Sequence, residues 1–436
     1  MGVNLRKITL ELIRSYEEDG RFVNLLLSSH RLDSLTREEK GLVTSLLYTT
    51  VENKLKYDYF IACFAKRQIA EIDPFVRDVL RLGLSQIIDI DSVPDFAAVN
   101  ETVKLARHSG ERGFINAVLR RAVEQKGNLP YPKREKNPER YISIAYSIPY
   151  KTVKLLSGVF GEETELVIRD LTKERGLSLT VNESIISTAD AVAKLSAYGA
   201  KRSEYTDCGI AFDKSINPTA LPGFEDGEFF VQDEASRLAV AAAYIREGDR
   251  VIDVCAAPGG KSFSAAIKAG ERGAVTSFDI HESKLSLITG GRDRLGLKNL
   301  NAFTRDARFP DESLFGKADV VICDVPCSGL GVIAKKPDLR YKDNDEIAAL
   351  PSLQYEILTA SAKYLKPNGV LIYSTCTVIP SENEDVTDRF ISENSAFSYE
   401  SFTVGKLSCD KGRVTLLPHI HGTDGFYIAK LRKHND

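Results

Sequence analysis

The chain has 436 residues, 43% apolar and 27% charged, with a formal net charge of −3. That length exceeds one ordinary core, so two or three domains are expected, and the composition is that of a globular protein. No apolar run approaches the roughly 18 residues of a membrane span, and the near-neutral charge means that any nucleic-acid contact must rest on local basic patches.

The first twenty residues, MGVNLRKITLELIRSYEEDG, are amphipathic and contain acids, unlike an export signal. Seven cysteines, at 63, 208, 255, 323, 327, 376 and 409, include no Cys-x-x-Cys pair. The odd count suggests neither a zinc knuckle nor a disulfide framework, so we expect no metal and a reducing, cytoplasmic setting.

Residues 1–125 read as all-helical. Leu5, Ile8, Leu12 and Tyr16 recur at helical spacing, and Thr36 with Glu39 forms a capping-box pattern ahead of Leu42, Val43, Leu46, Leu47 and Val51. Further helical stretches hold Val79, Leu80, Leu82, Leu84 and Ile87, then Val99, Val103 and Ala106, then FINAVLRR at 114–121. A bundle of five to seven helices is expected.

Residues 126–140, KGNLPYPKREKNPER, carry three prolines and alternating charge and read as a linker. A small α+β module follows over 141–227, with helices near 150–160 and 162–173 and a strand at 177–181. From 228 to 436 strand and helix alternate. Strands are expected at 251–254, 274–278, 300–303, 318–323 and 369–373, with later ones at 397–402 and 426–431. The intervening helices fall at 233–245, 261–269, 283–295 and 352–365. This is a doubly wound α/β sheet ending in an antiparallel hairpin.

Ligands of such sheets bind outside the carboxyl ends of the strands. There the first strand runs into CAAPGGK, residues Cys255, Ala256, Ala257, Pro258, Gly259, Gly260 and Lys261. Its glycines permit close backbone approach, and the following helix start offers free N–H groups. Asp279, Asp306 and Asp324 follow the next strands. Three acids at successive strand ends point to a nucleoside cofactor, with Asp279 on ribose hydroxyls and Asp306 on an adenine amino group. Cys327, in Asp-Val-Pro-Cys, and Cys376, in Ser-Thr-Cys-Thr, follow the fourth and fifth strands and face the same crevice. By position alone either thiol is a candidate nucleophile.

The segments CAAPGGK, DVPCSGLGVIAKKPDLRY and YSTCTVIPSENEDV resemble the signatures of the Sun/Fmu-type RNA (cytosine-5-)-methyltransferases, and the helical region is similar to NusB-like RNA-binding domains. Val325 replaces the usual Ala of the Asp-Ala-Pro-Cys segment, and Thr180 stands where that family usually has Arg before Val-Asn. The resemblance implies a Rossmann-like, S-adenosyl-methionine-dependent methyltransferase domain acting on small-subunit (16S) ribosomal RNA, and we expect it to act as a monomer. It makes Cys376 the nucleophile and Cys327 the aid to its release. It sets Asp324 against the base, and Lys261 against Asp324 and the cofactor carboxylate. Lys335, Lys336, Arg340 and Tyr341, and on the bundle Arg107, His108, Arg112, Arg120 and Arg121, are candidate phosphate contacts.

Overall fold

The computed structural model describes residues 4–27 and 32–435. The chain divides into two compact units, Met1–Arg169 with Lys336–Lys342, and Asp170–Lys335 with Asp343–Asp436.

In the first unit, the described part of residues 1–125 forms seven helices: Leu5–Asp19, Val23–Leu27, Arg37–Glu52, Lys54–Ala65, Pro74–Ile88, Asp95–Val103 and Ser109–Glu124. Both halves of the Thr36–Glu39 capping box are made. The apolar stripes meet in one core holding Leu46, Leu47, Tyr57, Phe60, Val79, Leu84, Ile115 and Leu119. Each such side chain contributes about 1.5–3 kcal/mol by leaving water.

The boundary between units does not fall in the 126–140 segment but at Arg169 and Asp170. That segment is irregular yet pinned, with the Tyr131 ring set edge-on to Phe60 at 5.1 Å. The helices that follow, Pro138–Ala145 and Tyr150–Phe160, stay with the bundle. Prolines mark a break in helical periodicity here, not a break in packing.

Residues 336–342 also belong to this unit. Tyr341 Oη donates to the carbonyls of Val51 and Glu52 at 2.8 and 2.9 Å, and Arg340 Nη1 donates to that of Glu52 at 3.0 Å. These carbonyls lie at the C-terminal end of helix Arg37–Glu52, where the last turn lacks the i+4 donors of the helix interior. Asp338 Oδ1 accepts from the Val23 N–H at 3.1 Å.

The second unit opens with a four-stranded antiparallel sheet. Its strands are β1 (Ser178–Val181), β2 (Lys201–Arg202), β3 (Gly209–Ala211) and β4 (Phe229–Val231), in the order β2-β3-β1-β4. Thr180 is buried, and its hydroxyl accepts from Arg237 Nη1 at 2.9 Å. A guanidinium thus does reach this position, from a different residue.

The main sheet holds β5 (Arg250–Asp253), β6 (Ala274–Asp279), β7 (Leu300–Thr304), β8 (Ala318–Asp324), β9 (Leu365–Thr375), β10 (Phe397–Tyr399), β13 (Arg413–Leu416) and β14 (Phe426–Lys433). Strands β11 (Phe402–Val404) and β12 (Leu407–Cys409) form a separate hairpin. The order is β10-β14-β9-β8-β5-β6-β7, parallel from β9 to β7 and antiparallel where β14 joins β9. Alternate residues of the central strands enter two cores: Val251, Val320, Ile322 and Ile372 face one, and Ile252, Val321, Leu371 and Tyr373 face the other. Both faces are covered, which is why these strands read as continuous apolar runs.

Two expectations need correction. Residues 397–402 are not one strand: 397–399 pairs with β14, and 402–404 pairs with β12. The helix read from 352 starts at Asn344, capped by Asp343, and carries Pro351 inside it. That proline looks like a helix start because it is best tolerated there.

Candidate active site

Strand order reverses between β5 and β8, and the side chains of interest gather at that carboxyl edge. The loop 255–261 hangs from β5. The Ala256 N–H donates to the Phe278 carbonyl at 2.8 Å, and that of Ala257 to Asp279 Oδ2 at 3.1 Å. The Ala257–Pro258 peptide is cis. Gly259 has φ +116°, and a Cβ there would meet the Phe263 ring at 2.4 Å, so glycine is required. Helix Gly260–Ala269 starts without a side-chain cap.

Asp279 closes β6 nearly buried. Its Oδ1 accepts from the His281 N–H at 2.9 Å, and each oxygen keeps a lone pair for a hydroxyl donor. Asp306 behaves differently. Its carboxylate is gripped by Arg308 at 2.7 Å, which holds it below the usual carboxylate range. An amino group of adenine would share it with that guanidinium. Sequence reasoning missed Ile280 and Phe309, which are exposed apolar side chains close in the chain to those acids. An uncapped helix start, a cationic Lys261 and a carboxylate with spare acceptors form a donor and acceptor set that fits a nucleoside bearing an amino-acid tail.

Asp324 ends β8 and is register partner of Ser374 on β9, so the two side chains share a face. Ser374 Oγ donates to Asp324 Oδ1 at 2.6 Å, and Lys261 Nζ donates to Oδ2 at 2.7 Å. Burial works against the charge of Lys261, but Asp324 outweighs it and the ammonium is held above its ordinary range. Asp253, at the end of β5, is buried against the Ser262 hydroxyl, and that burial pushes its carboxyl up to about 7.

Beyond these strand ends the two thiols meet. Cys327 Sγ and Cys376 Sγ are 3.1 Å apart, and the Cys376 N–H donates to Cys327 Sγ at 3.3 Å. Hydrogen bonding to Cys376, burial, and the charges of Glu382 and Asp324 push the Cys327 thiol well above its ordinary range. The turns are tightly built. A Cβ on Gly331 would come within 1.8 Å of the Gly425 carbonyl, and the Gly331 N–H donates to the Cys376 carbonyl at 2.9 Å. Of the other cysteines, Cys323 and Cys409 are buried, Cys208 and Cys255 are half-buried, and Cys63 is exposed.

The candidate phosphate contacts divide: Arg112, Arg120 and Lys336 are exposed, and others are paired within the fold. Lys335 is spent on Asp233 and on Asp424, at 2.6 Å for the latter, and Arg340 is buried in the first unit. On the bundle, Arg107 pairs with Asp73 and Glu111, and Arg121 Nη1 donates to the Phe64 carbonyl at 2.6 Å. His108 Nδ1 accepts from the Glu111 N–H at 3.3 Å, and Arg120 Nε donates to Asn116 Oδ1 at 3.1 Å. A basic run in sequence does not reveal which of its charges the fold has already neutralised. Among the described residues no helix is long and apolar enough to cross a membrane.

A family model described as 16S rRNA methyltransferase RsmB/F matches residues 240–432, and the NusB family model matches residues 3–124. The chain is 35% identical to a probable ribosomal RNA small subunit methyltransferase B of Bacillus subtilis, covering 99% of each. It is 30% identical to the corresponding Synechocystis protein, covering 99% of this chain and 100% of the other. The solved structure of PH0851 is similar at 25% identity with a TM-score of 0.79, covering 99% of this chain and all of the other. NSun6 from Pyrococcus horikoshii, solved with SFG, shares the fold at 24% identity and a TM-score of 0.59, covering 66% of this chain and 99% of the other.

Proposed function

The chain belongs to the ribosomal RNA small subunit methyltransferase B family, is S-adenosyl-methionine-dependent, and we propose that it methylates C5 of a cytidine in small-subunit ribosomal RNA through a covalent bond from Cys376 to C6. The observation that carries this reading is the pair of touching thiols beside Asp324 and Lys261. Methylation of an already nucleophilic nitrogen or oxygen has no use for a thiol. Cytosine C5 does, because it is too weakly nucleophilic to take a methyl group directly.

Addition of the Cys376 thiolate to C6 places the C5–C6 electron pair at C5, as in an enamine, and splits one hard step into two easier ones. Bound S-adenosyl-methionine supplies an electrophilic methyl group. Loss of the C5 proton to water then lets the C5–C6 double bond reform as the Cys376–C6 bond breaks and the sulfur leaves as thiolate. Cys327, kept protonated, can donate its S–H to the sulfur of Cys376 as it leaves. Asp324 accepts from the exocyclic amino group of the base, and Lys261 holds that carboxylate in orientation. Asp279 receives the cofactor's ribose hydroxyls and Asp306 its adenine amino group. Loop 255–261 carries the cofactor's amino-acid tail.

The helical unit supplies RNA affinity in this reading, as its match to the NusB family suggests. The test is a reaction of the protein with small-subunit RNA lacking the modification, followed by nucleoside mass spectrometry and bisulfite sequencing. We expect 5-methylcytidine at one position. N4-methylcytidine or a 2′-O-methylated nucleoside as the product would overturn the reading.

A further inference from the structure

The segment after Cys376 contains two consecutive polar residues that the chemistry above leaves without a role. Glu382 and Asn383 are fully buried. Glu382 Oε2 accepts from the Ser328 N–H at 2.8 Å and from Gln354 Nε2 at 2.9 Å, and the same Nε2 donates to the Pro326 carbonyl at 3.0 Å. These contacts bracket Cys327. Asn383 Oδ1 accepts from Thr375 Oγ1 at 2.5 Å, and its Nδ2 donates to the Thr377 carbonyl at 3.1 Å. Those contacts bracket Cys376. The two turns are also tied directly, Ser328 Oγ to Thr377 Oγ1 at 2.7 Å.

Burying a carboxylate is costly, and Glu382 Oε1 has no hydrogen-bond partner among the described residues. Packing alone does not call for such a group. We infer that the Glu382–Asn383 dipeptide is a positioning clamp that holds the Cys327 turn with one residue and the Cys376 turn with the next, and so sets the separation of the two thiols. Adjacency in the chain matters here, because two neighbouring residues cannot drift apart as two remote ones can. The inference rests on the reading that both thiols take part in the reaction.

The experiment compares Glu382→Ala, Glu382→Gln and Asn383→Ala with wild type and Cys327→Ala, in the full chain. It measures turnover, RNA KM and covalent protein–RNA adduct on denaturing gels, with S-adenosyl-methionine titration as the check of fold. Asn383→Ala should lose adduct and turnover together, by about a hundredfold if the thiol shifts by an ångström, with KM unchanged. Glu382→Ala should accumulate adduct, as Cys327→Ala does, and Glu382→Gln, which keeps an acceptor for Ser328, should restore most turnover. Should the alanine variants fail to bind cofactor, Thr375→Val removes one hydrogen bond from the Cys376 arm and Gln354→Met the two made by Gln354 Nε2 in the Cys327 arm, and these are expected to show the same two phenotypes. Wild-type partition and turnover in cofactor-binding variants of both arms would overturn the clamp. Absence of adduct in Cys327→Ala would instead overturn the reading of the thiols.

Discussion

The sulfur of Cys327 lies 3.1 Å from that of Cys376 and also accepts the Cys376 backbone N–H at 3.3 Å. One thiol is thus the immediate hydrogen-bonding environment of the other. The hydrogen bond to Cys376 and burial push the Cys327 thiol up, which suits this sulfur to donate its S–H to a sulfur that is leaving.

The two thiols should therefore fail differently. Cys376→Ala should abolish methylation and form no covalent RNA adduct. Cys327→Ala should attack and accept the methyl group, then stall as an adduct that survives denaturing electrophoresis. An adduct in Cys376→Ala, with none in Cys327→Ala, would exchange the roles.

Cofactor affinity should depend on Asp279. Its replacement by alanine removes the acceptor proposed for the ribose hydroxyls and also frees the Ala257 N–H that shapes the loop. Hydrogen bonds to a charged group contribute about 1.5–3 kcal/mol, so Kd for S-adenosyl-methionine should rise roughly ten- to a hundredfold by calorimetric titration. An unchanged Kd would place the ribose elsewhere.

Arg237 should be the costliest surface-remote residue to truncate. It is 2% exposed and joins helix Glu234–Ala242 to β1 through Leu179 O at 2.7 Å and Thr180 Oγ1 at 2.9 Å, with Glu234 as its counter-ion at 2.7 Å. Removing one partner of a buried ion pair costs about 3–5 kcal/mol. Urea unfolding of Arg237→Ala should show a loss of that order, and a loss below about 1 kcal/mol would mean the network is dispensable.

Asp253 should make stability fall with rising pH. Burial raises its carboxyl from 3.8 to about 7, so the native state keeps a proton that the unfolded chain releases. The stability it contributes is complete below about pH 4 and is lost as pH climbs through about 7. Asp253→Asn, which still accepts from Ser262, should flatten the decline in thermal midpoint over that window. Parallel curves for the two proteins would assign the titration to another group.

Sequence alone determined the alternation of strand and helix after residue 228, the helical character of residues 1–125, and the strand ends on which Asp279, Asp324, Cys327 and Cys376 stand. These are local properties, set by hydrophobic period and by turn residues that act within a few positions. Short strands such as β2 and β12 escaped notice because two or three residues carry no period. Only the tertiary structure decided what each polar group meets. It spent Lys335 on Asp233 and Asp424, sent Arg340 and Tyr341 to the end of a helix some 290 residues earlier, and set Glu382 and Asn383 against the two cysteine turns. Hydrogen bonds and ion pairs form between atoms within about 3 Å whatever their distance along the chain, so their partners exist only once the sheet has brought the strand ends together.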